Sequence, residues 1–158
     1  MACNRHGEKY WWAAVQAYFR GLIPSWRRPD ESPVHLQRGR LGEQAAKRHL
    51  QNLGLKFLAA NYRSDHGEID LVFRDQDCLV FVDVKTRSSE DWTRPAAAVD
   101  KGKRRRLSRT ALEYLRVLKH PQVPFRFDVV EVLLEDGAVR EIRHIPNCFP
   151  LALPYRYG

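Results

Sequence analysis

Two apolar segments separated by a short polar stretch constrain this chain more than any other feature. Residues 67–73 and 79–87 are rich in Val, Ile, Leu and Phe, and residues 74–77 between them are polar. This pattern predicts two strands joined by a hairpin loop. The first half of the second strand is apolar on both faces, which is typical of a strand in the middle of a sheet. We therefore expect this hairpin to form the centre of the fold.

Charged residues follow the apolar part of each strand. Side chains alternate along a strand, so Asp83 and Lys85 share one face of the second strand, and Glu68 and Asp70 share one face of the first. A simple amphipathic strand with a solvated charged end explains the same residues, because acid-x-Lys is a common pattern. The motif alone leaves both interpretations open.

The predicted register decides whether the two aspartates can act together. A hairpin centred near residues 75–76 places Asp70 opposite Phe81 and diagonal to Asp83. Diagonal Cβ atoms lie about 7–8 Å apart, close enough for two carboxylates to hold one divalent cation. A slip of one residue would place them on opposite faces.

Composition narrows the class of protein. The 158 residues suffice for one main domain. The net charge of +8 indicates a polyanionic partner. The three cysteines have neither zinc-ligand spacing nor a disulfide pattern, which favours a reducing cytoplasm. No apolar stretch is long enough to predict a transmembrane helix.

Three regions are predicted along the chain. Residues 1–36 form an aromatic and basic extension that ends in a proline-containing linker, residues 37–146 form the folded domain, and residues 147–158 form an irregular tail. The extension contains a short aromatic helix. Packing on its own domain or a second copy, and binding to a membrane surface or a partner, both remain open for this helix.

The first predicted helix covers residues 38–53, and strand 55–62 follows it. Glu43 lies near the start of this helix, where an acid complements the helix dipole or reaches over the sheet toward Asp70. His66 lies in the turn before the central hairpin and is expected to be solvated. A loop at residues 88–95 follows the central hairpin and is expected to contribute binding residues.

A second helix is predicted at about residues 96–118, followed by strands 125–134 and 138–145 around an Asp136-Gly137 turn. One helical turn before Leu107, Lys103 should point toward the sheet. Five arginines fall mostly on other faces of this helix: Arg104, Arg105, Arg106, Arg109 and Arg116. They form either a solvated basic face or a surface that follows a phosphate backbone.

The element order αβββαββ, with acids and a lysine on the second and third strands, resembles the PD-(D/E)xK nuclease core. More narrowly, the chain resembles the YraN-like family of uncharacterised proteins, which are similar to archaeal Holliday-junction resolvases. The matching residues are Gly42-Glu43, Asn61-Tyr62-Arg63, Gly67-Glu68-Ile69-Asp70-Leu71, Phe81-Val82-Asp83-Val84-Lys85-Thr86-Arg87, Ala98-Val99, Lys103, Leu107 and Phe127-Asp128-Val129-Val130. The family usually has Glu where this chain has Asp83, which shortens the side chain by one methylene. The resemblance implies an α/β, restriction-endonuclease-like core with a central mixed sheet flanked by helices.

The resemblance also implies a site. Asp70 and Asp83 would bind Mg²⁺ or Mn²⁺ together with the Val84 carbonyl and Glu43. Lys85 would orient the attacking water or stabilise the transition state. The supporting residues would be Glu68 beside the metal ligands, Lys103 on a phosphate, and a nucleic-acid-binding surface of Arg87, Arg104, Arg105, Arg106 and Arg109.

The expected function is a metal-dependent endonuclease that acts on DNA, at branched or structured sites. The alternative is a non-catalytic nucleic-acid-binding protein on the same scaffold. A third hypothesis is an RNA-associated factor. DNA is favoured over RNA as the partner. The sequence leaves open a homodimer and a membrane contact of residues 1–36.

Overall fold

The computed structural model describes residues 34–88, 99–119 and 122–157, all within the second of the chain's two units, residues 31–158. The described elements are α1 (Val34–Asn52), β1 (Lys56–Ser64), β2 (Gly67–Asp75), β3 (Cys78–Ser88), α2 (Lys101–Val117), β4 (Phe125–Glu135) and β5 (Ala138–Phe149). The predicted order αβββαββ and the α/β class are confirmed.

The five strands form one mixed sheet in the order β1-β2-β3-β4-β5. All neighbouring pairs are antiparallel except β3 and β4, which run parallel because α2 carries the chain back across the sheet. The predicted central position of β3 is confirmed. The arrangement is consistent with the restriction-endonuclease-like core.

Helix α1 covers one face of the sheet. Ala46 and Leu50 of α1 join a buried apolar cluster with alternate residues of the three central strands. These strand residues are Leu71, Phe73, Val80, Val82, Val130, Val132 and Leu134. Their alternate spacing is what places them all on one face. This packing leaves the intervening residues of β3 on the opposite face.

Helix α2 covers that opposite face. Asp100 caps it by accepting a hydrogen bond from the Lys103 backbone N–H, at 2.9 Å. Tyr114 of α2 is fully buried and packs edge-to-face on Phe81 and Tyr62, with ring centroids 5.5 and 4.9 Å apart. Lys103, in the first turn of α2, contacts Asp83, so the N-terminal turns of α2 lie over the end of β3 that carries this aspartate.

Strands β2 and β3 separate just before Asp70 and Asp83. Their backbone pairing runs from Asp75–Cys78 to Leu71–Val82 and ends there. The earlier residues of β2 pair only with β1, and the later residues of β3 pair only with β4. We call this separation the β2–β3 fork. Asp70 and Asp83 are the first residues inside it.

The predicted hairpin register was wrong by two residues. The observed turn is Gln76-Asp77, so Asp75 pairs with Cys78 and the register extrapolates to Asp70 opposite Asp83. Because the error is an even number of residues, the two aspartates keep a common face. They are opposed and not diagonal.

Several predicted boundaries also moved. Helix α1 begins at Val34 and not near residue 38, and α2 begins at Lys101. Strand β5 continues to Phe149, beyond the predicted end at residue 145. The predicted aromatic helix, the loop at residues 88–95 beyond β3 and the start predicted for α2 near residue 96 lie outside the described residues. No helix in the described part is long and apolar enough to cross a membrane.

Candidate functional site

Asp83 is the centre of the candidate site. It is 3% exposed and lies on the α2 face of β3, on the same side as Phe81. Lys103 Nζ lies 2.5 Å from Asp83 Oδ1, and Lys85 Nζ lies 3.2 Å from Asp83 Oδ2. The predicted inward direction of Lys103 therefore agrees with the structure. Two lysines from different elements neutralise one buried carboxylate.

Asp70 stands across the fork. Its Oδ2 accepts a hydrogen bond from the Val84 backbone N–H at 2.7 Å, in place of a strand carbonyl. The pKa of Asp70 is raised to about 7, mainly by burial and in addition by the nearby charges of Asp83 and Glu43. The Val84 N–H and Lys103 oppose this rise. The Asp70 carboxyl therefore gains or loses its proton near neutral pH, beside the second acid, Asp83.

The two lysines respond differently to this environment. Burial lowers the pKa of Lys85, and the nearby Lys103 lowers it further. Burial also acts to lower the pKa of Lys103, but the carboxylate of Asp83 outweighs burial and raises it. Lys103 makes the shorter contact with Asp83, which accounts for its stronger hold on the proton.

Glu43 and Glu68 flank the acids without joining them. The Glu43 carboxylate hydrogen-bonds Asn61, and burial raises its pKa. Glu68 is exposed and pairs with Arg63 at 3.3 Å. Glu43 is near enough to act on Asp70 electrostatically. In the described residues, no three Asp, Glu, His or Cys side chains are arranged to hold a metal ion.

A divalent cation nevertheless fits the donors that are present. Mg²⁺ retains several waters and needs only one or two carboxylates together with phosphate oxygens. Asp70 and Asp83 supply two carboxylates. Among the described residues, Asp83 Oδ2 is buried without a well-directed hydrogen bond, and the Lys85 ammonium lies 3.2 Å from it. Lys85 compensates the charge of this oxygen, and a bound cation would supply the directed contact that the oxygen lacks.

The predicted arginine surface divides into two groups. Arg105, Arg106 and Arg109 are exposed on α2. Arg104 is half-buried, donates to the Val99 carbonyl at 2.8 Å and lies over the Phe149 ring, 5.5 Å from its centroid. Arg104 therefore packs the start of α2 against the sheet, while its three neighbours face solvent.

Glu131 is a buried acid that the sequence analysis missed. It pairs with Lys85 in the β3–β4 register and is completely buried. Arg143 lies 3.5 Å and Arg87 3.8 Å from its carboxylate, so Arg87 is partly engaged inside the protein. The available signal was a single acid inside the long apolar run of β4. Glu131 extends the charged row of Asp83 and Lys85 across the sheet.

Asp128 marks a second buried network. Its carboxylate accepts hydrogen bonds from Arg126 Nε at 3.0 Å and the Asn147 N–H at 2.9 Å, and His144 Nε2 lies 2.9 Å away. Arg126 also donates to Asp75 at 2.8 Å. These contacts hold the pKa of Asp128 below its usual value despite burial. The network ties β4 to β5 and to the β2–β3 hairpin.

Comparison with known proteins matches the same region. The model of the family described as "Uncharacterised protein family UPF0102" matches residues 42–132. A UPF0102 protein of Trichlorobacter lovleyi is 44% identical over 115 residues, which is 72% of this chain and 91% of that protein. UPF0102 proteins of Syntrophus aciditrophicus and Porphyromonas gingivalis are each 42% identical, over 118 and 120 residues. These alignments cover 75% of this chain in both cases, and 92% and 88% of the two relatives. The matched range contains Glu43, Asp70, Asp83, Lys85 and Lys103.

Proposed function

The chain belongs to the uncharacterised protein family UPF0102, the YraN-like family that its motifs predicted, and from this premise we propose that it is a metal-dependent nuclease hydrolysing phosphodiester bonds in DNA. One observation carries the proposal. Two acids on separating strands, Asp70 and Asp83, lie beside two lysines in a largely buried site. Acids and lysines together suit a reaction that needs a cation and a negatively charged substrate.

Asp70 and Asp83 are the residues that would hold Mg²⁺ or Mn²⁺, with the Val84 carbonyl beside them and Glu43 as an outer acid. A bound ion would lower the pKa of the attacking water and would neutralise negative charge on the phosphate. Asp83 is rigidly placed on the central strand, and Asp70 is fixed by its bond to the Val84 N–H. This fixed spacing is the preorganisation that electrostatic catalysis requires.

The two lysines would act on the substrate and on the attacking water. Lys85 is half-buried beside Asp83, so its ammonium acts in a partly water-excluded site where its charge has a greater effect. There it orients the attacking water or stabilises the transition state. Lys103 offers a second ammonium from α2 to a phosphate oxygen. The exposed Arg105 and Arg106 continue this positive charge along α2.

A non-catalytic nucleic-acid-binding protein is the second candidate. Each oxygen of Asp83 lies within ion-pair distance of a lysine, so the carboxylate is already neutralised without a metal ion. In this case the lysines maintain the fold and the basic surface alone binds nucleic acid. Cleavage measurements separate the two candidates.

The decisive experiment compares the wild-type protein with Asp83→Asn on supercoiled plasmid and on a four-way junction. We expect cleavage with Mg²⁺ or Mn²⁺, none with EDTA, and a loss of about 10²–10³-fold or more in the variant. DNA binding in EDTA should be equal or slightly tighter, because one negative charge is removed. Asp136→Asn is the matched control, since Asp136 is exposed in the β4–β5 turn.

The controls decide between enzyme, contaminant and binding protein. Full cleavage by Asp83→Asn would show that the chemistry lies elsewhere or belongs to a contaminant. Metal-independent binding by a wild-type protein that cuts no DNA would favour the second candidate. Loss of activity in Asp136→Asn would indicate a general effect on folding.

A further inference from the structure

A cleft lies apart from the two aspartates, between the outer side of α2 and the last described residues. Its volume is about 560 Å³, within the range of small-molecule sites. The turn before β2 and the segment after α2 complete its wall. None of the candidate metal ligands lines it. The C-terminal residues, predicted as an irregular tail, thus form part of a defined concave surface.

The charge of the cleft favours an anion. Arg109, Arg116 and Arg156 line it, together with one acid, Glu113. Glu113 pairs with Arg116 at 3.2 Å. Arg109 and Arg156 are exposed and have no ion-pair partner within the described part of the chain. Arginine guanidinium groups match phosphate oxygens in geometry as well as in charge.

The cleft also presents aromatic rings. Tyr157 packs edge-to-face on Phe125, with centroids 5.4 Å apart, and so forms a fixed wall. Tyr155 lines the cleft and makes no ring contact with another aromatic residue of the described ranges. The hydrogen bond from the Ala152 N–H to Ser108 Oγ, 2.9 Å long, holds this segment against α2. A second hydrogen bond, from the Tyr155 N–H to the Ala152 carbonyl at 3.0 Å, closes a turn within the segment. The backbone of Tyr155 is therefore positioned before any ligand arrives.

We propose that this cleft binds an unpaired segment of DNA that flanks the bond to be cut, with phosphates on the arginines and a base stacked on Tyr155. This inference rests on the proposed nuclease function. Arginines combined with an available aromatic face are the recurring means of holding single strands. A base pair inside a duplex has both faces covered by its neighbours, so the interior of duplex DNA cannot use Tyr155 in this way.

The position of the cleft suits such a segment. Arg109 follows Lys103 by six residues on α2, which is a rise of about 9 Å along the helix axis and a turn of about 120° around it. At 3.4 Å per nucleotide of one strand, the axial rise alone corresponds to about three nucleotides, and the path around the helix adds to this number. A strand leaving the candidate metal site along α2 would reach the cleft after a few nucleotides. The substrate class implied is DNA with a junction between paired and unpaired segments.

The test measures binding of the full chain in EDTA, by fluorescence anisotropy at constant salt, to a labelled duplex with unpaired thymidine arms and to the same duplex with blunt ends. We expect Tyr155→Ala to weaken binding of the forked DNA about 5- to 150-fold while blunt binding stays unchanged. Tyr155→Phe keeps the ring and should bind as the wild type does. Arg156→Ala, at an exposed position, should reduce the salt slope for the forked DNA by about 0.7.

The inference would be overturned if Tyr155→Ala bound the forked DNA as tightly as the wild type does. Equal weakening on forked and blunt DNA would also overturn it, as would free thymidine monophosphate binding as tightly as the forked DNA. Arg140→Ala, in the β4–β5 hairpin, is the charge-matched control for Arg156→Ala. Cleavage of the same fork with Mn²⁺ reports separately on the proposed function. If the protein binds the unpaired arms but cuts no DNA, the proposed nuclease function is wrong and the proposed binding of unpaired DNA in the cleft still holds.

Discussion

Asp70 carries a buried carboxyl group whose pKa is raised from 3.8 to about 7. Between these values the folded state retains a proton that the unfolded state has released, so the stability of the wild type falls as pH rises. We expect Asp70→Asn to remove this dependence while its side-chain oxygen still accepts the Val84 N–H. Relative to the variant, the wild type should lose up to about 4 kcal/mol of unfolding free energy across this window.

Denaturant unfolding in EDTA at several pH values measures this loss. Asp77→Asn changes the same chemical group at an exposed turn position and should follow the wild type. If the wild type and Asp70→Asn showed parallel pH profiles, Asp70 would not be the group that titrates near neutral pH.

Single residues were predictable where one pattern fixed their direction. Lys103 was predicted to point inward because it lies one helical turn before the apolar Leu107, and it contacts Asp83. Arg104 shares its charge with its neighbours, so no sequence signal separated its packing role from their exposure. Glu131 was missed because its neutralising arginines, Arg87 and Arg143, come from two other strands. Such tertiary pairing is invisible in a local pattern.

At the scale of elements, the contact between α1 and β3 is unusually close at Gly42. A Cβ built on Gly42 would lie 1.9 Å from Thr86 Oγ1 and 3.0 Å from Thr86 Cβ, so rotation of the threonine alone cannot make room. We expect Gly42→Ala to destabilise the protein by about 1–3 kcal/mol through overpacking. Gly39→Ala on the same helix has no atom within 4 Å of the new Cβ and should stabilise by up to about 1 kcal/mol.

Denaturant midpoints of the two variants measure this difference in sign. Thr86→Ala in the Gly42→Ala background should recover part of the loss, because it removes two of the three crowded atoms. Equal effects of the two glycine substitutions would show that helix propensity, and not the contact with Thr86, determines the result.

Turns explain which registers the sequence could predict. Asp136-Gly137 has positive φ at both residues, 51° and 76°, and its residue types predicted the β4–β5 turn correctly. Gln76 also has a positive φ, 51°, but glutamine is not typical of this conformation. The β2–β3 turn therefore left no clear signal. The common face of Asp70 and Asp83 was predicted correctly because the register error was even.

At the scale of the whole molecule, we expect the net charge of +8 to give the chain a general electrostatic attraction to polyanions. If the exposed face of α2 is the specific contact, the double variant Arg105→Ala/Arg106→Ala should reduce the slope of log K against log salt for duplex DNA by up to about 1.8. Arg48→Ala/Arg140→Ala removes the same charge from exposed positions on α1 and β5. It should leave the slope nearly unchanged. Equal slopes for the two double variants would assign binding to net charge.

The overall architecture was predictable because element order follows from hydrophobic periodicity, and only a few sheets accommodate the order αβββαββ. The cleft beside α2 was not predictable. It depends on Tyr155, Tyr157 and Arg156 returning to a helix about forty residues earlier in the chain, a contact set by tertiary packing. Short polar and aromatic segments without periodicity carry no such information.

The β2–β3 fork also affects local opening of the sheet. Inside the fork, the amide of Val84 is protected by the side chain of Asp70 and not by a neighbouring strand. Its exchange with deuterated solvent should therefore accelerate about 2- to 10-fold in Asp70→Ala, the range expected for one lost hydrogen bond. Asp70→Asn should retain most of the protection, and equal acceleration in both variants would contradict this account. The exchange rate of the Val84 amide thus reports whether Asp70 is bound to the backbone or to another partner.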